Sequence, residues 1–292
     1  MLNSDVDLYI SFDNEAVGRL MAEHMISHIG EGDVLMINGP LADNNVVQIE
    51  KGFHGVLEER GNPLTVTETY YAANWLAETG LYVTSDYLAG HEPPAGIMCG
   101  NDSIAGQAVK GLAEQRLAGQ VCVVGQDADL DACQRIMEGT QCMTVYKPVE
   151  KLARKAAEFA VAMARGGMPE EVPDTIDNGF MDVPYCKLEP IAVTRDNMDE
   201  EITGKYHEAA DIYLNVDQAE ETDSAEKQEA ENDLTANTES VNEDSSQAEA
   251  DEDKEIEASG TAEAEENDPG SSTVQDVSES AAQNQAIASG QA

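Results

Sequence analysis

The chain is poor in basic residues and poor in aromatic ones. Its 292 residues include 16 lysines and arginines against 58 aspartates and glutamates, which gives a formal net charge of −42. Because nucleic-acid binding depends on neutralising phosphates with a basic face, this balance argues against a nucleic-acid partner. Long apolar runs are scarce too, and none approaches the roughly 18–20 residues that cross a bilayer. We therefore do not expect a membrane-spanning protein either.

Two further signals are missing. The first ten residues, MLNSDVDLYI, have no basic segment followed by an apolar core, so we expect no secretory signal peptide in this chain. The five cysteines show neither a CxxC pair nor metal-ligand spacing. Three of them lie inside or beside apolar runs, and free cysteine packs like a small hydrophobic residue. We interpret the cysteines as core residues, and the redox compartment stays open.

Residues 216–292 differ in composition from the rest. They contain no Phe, Tyr or Trp, and their 23 acidic residues face only two lysines, a net of −21. Such a segment cannot bury enough apolar surface to offset its conformational entropy. We expect a disordered acidic tail, preceded by a domain of 215 residues that is long enough for a sizeable core.

Five stretches share one order: an apolar strand-like run, an abrupt polar residue, then a helix-like segment. They are residues 8–14, 34–45, 97–102, 121–129 and 143–148. Alternation of strand and helix predicts an α/β fold with a doubly wound, mostly parallel sheet. Ligands of such sheets bind beyond the carboxyl ends of the strands. The polar residues there are Asp, Asn, Asp and Lys, with one Trp nearby, a set better suited to holding a neutral polyhydroxylated molecule than to breaking one.

Periodicity and turn residues place the individual elements. Asp13 or Asn14 would cap a first helix that stops at Gly30. Beyond residue 167 we expect irregular chain up to a last short strand. The predicted strands are residues 34–37, 64–70, 96–99, 120–124, 143–146 and 190–193. The predicted helices after the first are residues 45–60, 75–88, 103–115, 130–138 and 149–165.

Two arrangements imitate metal sites. Asp127, Asp129, Asp131 and Glu138 have the spacing of a calcium-binding EF-hand loop, but Ala132 stands where that loop requires Gly. We therefore expect no calcium there. His24 and His28 lie one helical turn apart, as zinc ligands can, without the Glu of an HExxH motif, so we favour ordinary surface or half-buried histidines. The chain also shows no GxSxG, P-loop or GxGxxG motif, and we expect neither a metal, a cofactor nor an enzymatic activity.

The sequence resembles the periplasmic monosaccharide-binding proteins of ABC importers (type I solute-binding proteins), most closely the D-xylose-binding group. The phrases YISFDN, DNN, CGND, GQDAD, GTQCMTVYKP and DNGFMDVPYCKLEPI carry the resemblance, in the same order, over about residues 5–214. It implies two α/β lobes joined by three crossover strands, with the sugar between the lobes. Residues 9–12, 143–146 and 183–188 would be those strands.

The resemblance also implies a ligand, partners and a location. The ligand would be xylose or a similar monosaccharide, the protein partners the membrane subunits of an ABC importer, and the location extracytoplasmic. Carboxylates and amides would bind the hydroxyls, and one Trp would stack on the apolar face of the sugar. By match to the family motifs, the sugar contacts would come from Asp43, Asn45, Trp75, Asn101, Asp127 and Lys147.

Each of these residues also has a structural alternative. The four Asp and Asn residues stand before or within predicted first turns, where such residues cap helices. Trp75 could be an ordinary core residue, and Lys147 a solvated lysine. The structure has to decide how each of them is used.

The chain departs from the family pattern in one respect. Most of the first lobe, which in the family precedes the first crossover, has no counterpart, so we expect a truncated form: the second lobe plus a remnant of the first. The predicted division is residues 1–142 for the sugar-binding C-terminal lobe with the first crossover at 8–13, 143–183 for the remnant, 184–215 for the return, and 216–292 for the tail. The apolar stripe of helix 149–165 would then lack part of the sheet that it should cover.

Two functions from different classes stay open. The first is a sugar-binding component of an importer, or a sugar-sensing module, acting through the strand-end residues. The second is an interaction or tethering protein that acts through its acidic tail. A repressor-like regulator fits less well, because no helix-turn-helix precedes the lobe and the charge has the wrong sign.

Overall fold

A computed structural model describes residues 3–167, 172 and 174–216. The predicted acidic tail, apart from Val216, lies outside the described residues. The strands are β1 (Tyr9–Phe12), β2 (Gly32–Asn38), β3 (Leu64–Tyr71), β4 (Gly96–Cys99), β5 (Cys122–Gln126), β6 (Met143–Tyr146), β7 (Asp174–Asp177), β8 (Asp182–Leu188) and β9 (Ile191–Val193). The helices are α1 (Asn14–Ile29), α2 (Asn44–Glu59), α3 (Glu78–Gly90), α4 (Asp102–Glu114), α5 (Leu130–Glu138), α6 (Val149–Ala164), α7 (Met198–Glu201) and α8 (Ala209–Ile212).

Six strands form the larger sheet, in the order β3-β2-β4-β5-β6-β9. The first five run parallel, and β9 pairs with β6 in the antiparallel sense. The chain goes from β2 outward to β3 and then crosses to the other side of β2 to make β4. The direction of winding therefore reverses between β2 and β4, and open α/β sheets place their ligand crevice at such a point.

Alternate residues of the strands feed two separate cores, one on each face of this sheet. On β2, Val34 and Met36 point into a cluster with residues of α1 and α2. Their neighbours Leu35 and Ile37 point into a second cluster with residues of α3 and α4. All four side chains are fully buried. A strand that is covered on both faces needs an unbroken apolar run, which is why β2, β4 and β5 read that way in the sequence.

A smaller sheet has the order β1-β8-β7, with β1 parallel to β8 and β7 antiparallel to it. The chain leaves the larger sheet after β6, forms α6, β7 and β8, and returns to the larger sheet as β9. Of the residues of α6, only Phe159 is buried, while Val149 and Val161 are half exposed or more. The predicted lobe boundary at residue 143 falls just before β6, which pairs within the larger sheet. The division into lobes stays a prediction.

The predicted fold class, an α/β fold with a mostly parallel doubly wound sheet, is confirmed. Two local predictions are wrong. Helix α3 begins at Glu78 and not at Trp75, because Asn74 and Trp75 have φ values of 50° and 59° that no α-helix accommodates. The residue pattern also left the chain beyond residue 167 irregular, whereas it contains the β7–β8 hairpin; only the strand that the resemblance placed at residues 183–188 was expected there. The side chain of Asn178 closes that turn by accepting from two backbone N–H groups, those of Phe180 and Met181.

Cys99, Cys122, Cys133 and Cys186 are buried, as predicted, whereas Cys142 is only partly buried. No disulfide bond joins any of these five cysteines, all of which lie within the described residues. Within the described ranges, no helix combines the length and the apolar character that a membrane span requires.

Candidate functional site

The site is built around the point where β2 and β4 end side by side. Asn38, the last residue of β2, is fully buried, and its Oδ1 accepts from the backbone N–H of Gly39 at 3.0 Å. Its Nδ2 donates to Glu50 on α2 at 3.2 Å. Gly100, just after β4, lies so close that a Cβ there would meet Oδ1 of Asn38 at 2.6 Å. The buried amide of Asn38 thus joins the loop after β2 to α2 and packs closely against the end of β4.

Asp43 and Trp75 come from different loops and meet beyond β2. Asp43 caps α2, with Oδ1 accepting from the N–H of Asn45 at 2.9 Å. Its Oδ2 accepts from Nε1 of Trp75 at 3.3 Å. The indole ring lies against Gly39, where an added Cβ would come within 2.5 Å of three ring carbons. Trp75 is half-buried and borders the α3–α4 core, so one part of the ring packs while the rest stays accessible.

Asn45 connects this loop to the first helix of the chain. Its Oδ1 accepts from Nδ2 of Asn14 at 3.0 Å, and the same Nδ2 lies 3.3 Å from Oε1 of Gln48. Asn14 is 5% exposed and begins α1, so a buried amide links the start of α1 to the start of α2. Asn45 does not cap α2 with its side chain; Asp43 does.

Asn101 follows β4 and caps α4, with Oδ1 accepting from the N–H of Ile104 at 2.9 Å. Among the described residues we find no partner for its Nδ2. The residue therefore fills the structural role of a cap and still has two donor hydrogens at the strand ends.

Asp127 and Lys147 form an ion pair at the ends of β5 and β6. Nζ of Lys147 lies 2.7 Å from Oδ1 of Asp127 and donates to Oε1 of Gln126 at 2.9 Å. Gln126 is buried, and its Nε2 donates to the carbonyl of Gly100 at 2.5 Å. The lysine is thus neither isolated nor freely solvated, and Asp127 is not a helix cap.

The backbone of Asp127 and Ala128 is strained, with φ values of 99° and 53°. Hydrogen bonds to the side chains of Thr144 and Asp102 hold this turn. The N–H of Ala128 donates to Oγ1 of Thr144 at 3.1 Å, and Thr144 in turn donates to Oδ2 of Asp102 at 2.6 Å. Asp102 also accepts from the N–H of Asp129 at 3.1 Å. The turn that presents Asp127 is therefore shaped by a buried carboxylate.

That carboxylate has an unusual proton affinity. Asp102 is 1% exposed, and its burial raises its pKa to about 7, although hydrogen bonds from Thr144, Gln141 and the N–H of Asp129 act to lower it. Desolvation of the charged form outweighs three donors here. The turn beside Asp127 therefore depends on a group that titrates near neutral pH.

The six predicted contact residues fall into three groups on adjacent strand ends. One holds Asp43, Asn45 and Trp75 beside β2; Asn101 stands alone after β4; the last holds Asp127 and Lys147 beside β5 and β6. Because β2, β4, β5 and β6 are neighbours in the sheet, the three groups follow one another in a row along its carboxyl ends. Sequence reasoning did not single out Asn38 and Gln126. The signal for them was available, because both are polar residues that end buried apolar strands.

The row offers several hydrogen-bond donors and acceptors, one charged pair and one flat apolar ring. Carboxylate and amide groups bind vicinal hydroxyls, and an indole face covers the C–H face of a ring. Doubly wound α/β proteins bind their ligands at the switch point of the sheet, and this row lies there. Fold and row together are those of a ligand-binding α/β protein.

A family model described as periplasmic binding protein domain matches residues 1–168. The chain therefore belongs to the periplasmic binding protein family. It is 38% identical over 215 residues to the D-xylose-binding periplasmic protein of Haemophilus influenzae and 37% identical over 217 residues to that of Escherichia coli. These matches cover 72% and 73% of this chain, and 64% and 66% of the two relatives, so the chain spans about two thirds of their length.

Solved structures agree with this assignment. An ABC transporter solute-binding protein from Clostridium phytofermentans with bound β-D-glucose matches with a TM-score of 0.63 and 25% identity, covering 72% of each chain. A carbohydrate transporter solute-binding protein from Chloroflexus aurantiacus in complex with D-glucose matches with a TM-score of 0.63 and 27% identity, covering 72% of this chain and 71% of the other.

Proposed function

We propose that this chain is the substrate-binding component of an ABC-type sugar importer, and that it binds a monosaccharide, with D-xylose favoured. The observation that carries the proposal is the row of polar side chains and one indole at the carboxyl ends of β2, β4, β5 and β6. The relatives named for D-xylose binding and the neighbours solved with D-glucose support the ligand class.

Binding without catalysis follows from the chemistry of the row. Asp43 and Asn101 are committed to helix caps, and Asp127 is paired with Lys147. Fixed donors and acceptors of this kind hold hydroxyl groups in place, whereas none of them is an activated nucleophile next to a base. We propose that the protein works outside the cytoplasm and delivers its sugar to the membrane subunits of an importer.

A thermal-shift panel tests the proposal. The protein is heated with D-xylose, D-ribose, D-glucose and, as a control of different chemistry, inorganic phosphate, each at millimolar concentration. A ligand that binds only the folded state raises the melting temperature. We expect a rise with at least one aldose, D-xylose first, and none with phosphate. If no aldose shifts the melting temperature, the proposed function is wrong.

A further inference from the structure

A second cluster of reactive side chains lies at the amino ends of the strands of the larger sheet, opposite the row at their carboxyl ends. His24 and His28 stand on α1, and Cys142 stands immediately before β6. One ligand atom from each of the three, a ring nitrogen or the thiol sulfur, lies within 4.8 Å of the other two. The histidine pair alone is unremarkable in the sequence, and the fold adds the third donor.

The arrangement follows from how α1 packs. Residues four apart share one face of a helix, and the imidazole rings of His24 and His28 stack with centroids 5.8 Å apart and planes inclined by 20°. Met21 and Met25 of the same helix are buried against the larger sheet. Cys142 packs against the same cluster, and its N–H donates to the carbonyl of Val123 of β5 at 2.8 Å.

His24 carries an atom that the protein does not satisfy. Its Nε2 is buried and has no hydrogen-bond partner among the described residues, a condition shared there only with Oγ1 of Thr84. A buried polar atom without a partner costs about 1–3 kcal/mol, and native proteins rarely tolerate one without a reason. A bound cation next to this ring would supply the reason.

The thiol of Cys142 has a second thiol beside it. It is hydrogen-bonded to the thiol of Cys122, which is buried and lines the same cavity. Metals bind the thiolate form of cysteine, and neighbouring donors of this kind orient it.

The cluster opens on a cavity of about 560 Å³. Gln120 and Arg195 line it together with the three candidate ligands. Ala95, Val121 and Gln141, which also line it, precede β4, β5 and β6, so the cavity lies at the amino ends of these strands. The carboxyl ends hold the proposed sugar site. Two ligands could therefore bind at the same time without touching.

We infer that His24, His28 and Cys142 form a binding site for a divalent cation of borderline softness, Zn²⁺, with water from the cavity in the fourth position. Zinc prefers nitrogen and sulfur ligands in a tetrahedron, at about 2.0–2.1 Å and 2.3 Å, which places the ligand atoms about 3.3–3.7 Å apart. The three ligand atoms lie within 4.8 Å of one another, so the widest pair is at most about 1 Å too far apart. His28 is exposed, which leaves its ring room to turn towards the other two ligands.

Such a site would tie α1 to the start of β6. Both histidines lie in the second half of the helix, whereas Cys142 belongs to the sheet. A cation held between them would bind the folded chain and not the unfolded one, and would raise its stability with the logarithm of the metal concentration.

The test uses the full chain, washed with chelator and kept under a reductant that does not bind metal. Co²⁺ serves as the spectroscopic probe and Zn²⁺ competes with it. We expect one Co²⁺ per chain, with the intense charge-transfer absorption of a thiolate ligand, displaced by Zn²⁺ but not by Mg²⁺. Cys142→Ser and His28→Ala should each weaken Zn²⁺ binding by at least the ~10–100-fold that loss of an outer-shell partner costs.

Matched controls separate ligation from general damage. His54→Ala removes an exposed histidine of α2, and Cys99→Ala removes a different buried thiol; both should bind Zn²⁺ like the parent. Zinc should raise the melting temperature of the parent and both controls, but not of the two ligand variants. Equal affinity in the ligand variants, or Co²⁺ bound without the thiolate absorption, overturns the site.

Discussion

Nε1 of Trp75 donates to Oδ2 of Asp43 at 3.3 Å, and this bond joins the loop after β2 to the loop after β3. Asp43 also caps α2 through its other oxygen. One carboxylate therefore fixes both the start of a helix and the tilt of the indole. Stability and ligand binding can be separated experimentally at this residue.

Replacing Asp43 by Ala should lower the free energy of unfolding by about 1 kcal/mol, the usual cost of a lost N-cap. It should also change the emission of Trp75, because the indole loses its acceptor. Asp13→Ala is the matched control, since Asp13 caps α1 through the N–H of Ala16 at 3.0 Å and is not bonded to the indole. Denaturant unfolding followed by circular dichroism, with fluorescence of the native state, measures both effects. Identical emission in D43A and the parent contradicts the described hydrogen bond.

Replacing Gly39 by Ala should displace the indole. The added methyl would meet the ring of Trp75 at 2.5 Å, so the ring or the loop has to move. We expect altered tryptophan emission and at least tenfold weaker sugar binding, because a stacking face that has moved can no longer cover the ligand. Gly55→Ala is the control: this position in α2 has open space around it, and the change should stabilise the protein by about 0.5–1 kcal/mol. Unchanged sugar affinity in G39A argues against Trp75 as a contact.

The Asp127–Lys147 pair should matter for ligand more than for folding. Its side chains are 40% and 21% exposed, and ion pairs with that access to water contribute about 1 kcal/mol or less to stability. Asp127→Asn and Lys147→Met should therefore have nearly the same free energy of unfolding as the parent. Both should bind D-xylose at least tenfold more weakly, because hydrogen bonds to charged groups contribute about 1.5–3 kcal/mol. Calorimetry at high sugar concentration measures the affinity.

The pair Glu15–Lys51 offers a control with the same 2.7 Å separation, on α1 and α2. Glu15→Gln and Lys51→Met remove the same two charges, one negative and one positive, and leave the strand ends of the larger sheet unchanged. If all four variants bind D-xylose equally well, the pair at the strand ends has no role in binding.

Asp102 should make stability fall as the pH rises through neutrality. Its pKa is about 7 in the folded protein, against an ordinary value of 3.8. The favourable contribution of the protonated carboxyl is complete below pH 4 and is lost as the pH rises through 7. The loss is on the order of 4 kcal/mol at most, from about 1.4 kcal/mol per pKa unit.

Denaturant unfolding at several pH values between 4 and 8 tests this, with the parent and Asp102→Asn compared at each pH. The free energy of unfolding of the parent should exceed that of the variant by more at pH 4 than at pH 8. Asp131→Asn, which alters an exposed aspartate of α5, should show no such trend. A pH-independent difference for Asp102→Asn means that the carboxyl titrates normally in the folded state.

Sequence patterns predicted the strands of the larger sheet well, because fully buried parallel strands must be apolar throughout and end abruptly. β4, α5 and β6 have the predicted bounds. The capping role of Asp43 and Asn101 was also readable, since short polar residues at strand–helix junctions satisfy the first N–H groups of a helix.

Other features depend on contacts between distant residues and leave no local pattern. Trp75 adopts a positive φ while its indole lies on Gly39 and bonds to Asp43, so the helix starts three residues later than its apolar spacing suggests. The association of Cys142 with His24 and His28 depends on how α1 crosses the sheet. No spacing rule along the chain could have revealed it.

The central claim is that the strand-end row of the larger sheet binds a monosaccharide, and the chain contains its own probe for it. Trp75 is the only tryptophan among the 292 residues. Its fluorescence therefore reports on the row alone when D-xylose is titrated to high millimolar concentration, with D-sorbitol as the solvent control. The account predicts a saturable change in emission with D-xylose, absent with D-sorbitol and strongly weakened in Asp127→Asn. Emission that does not respond to D-xylose or any other aldose would contradict it.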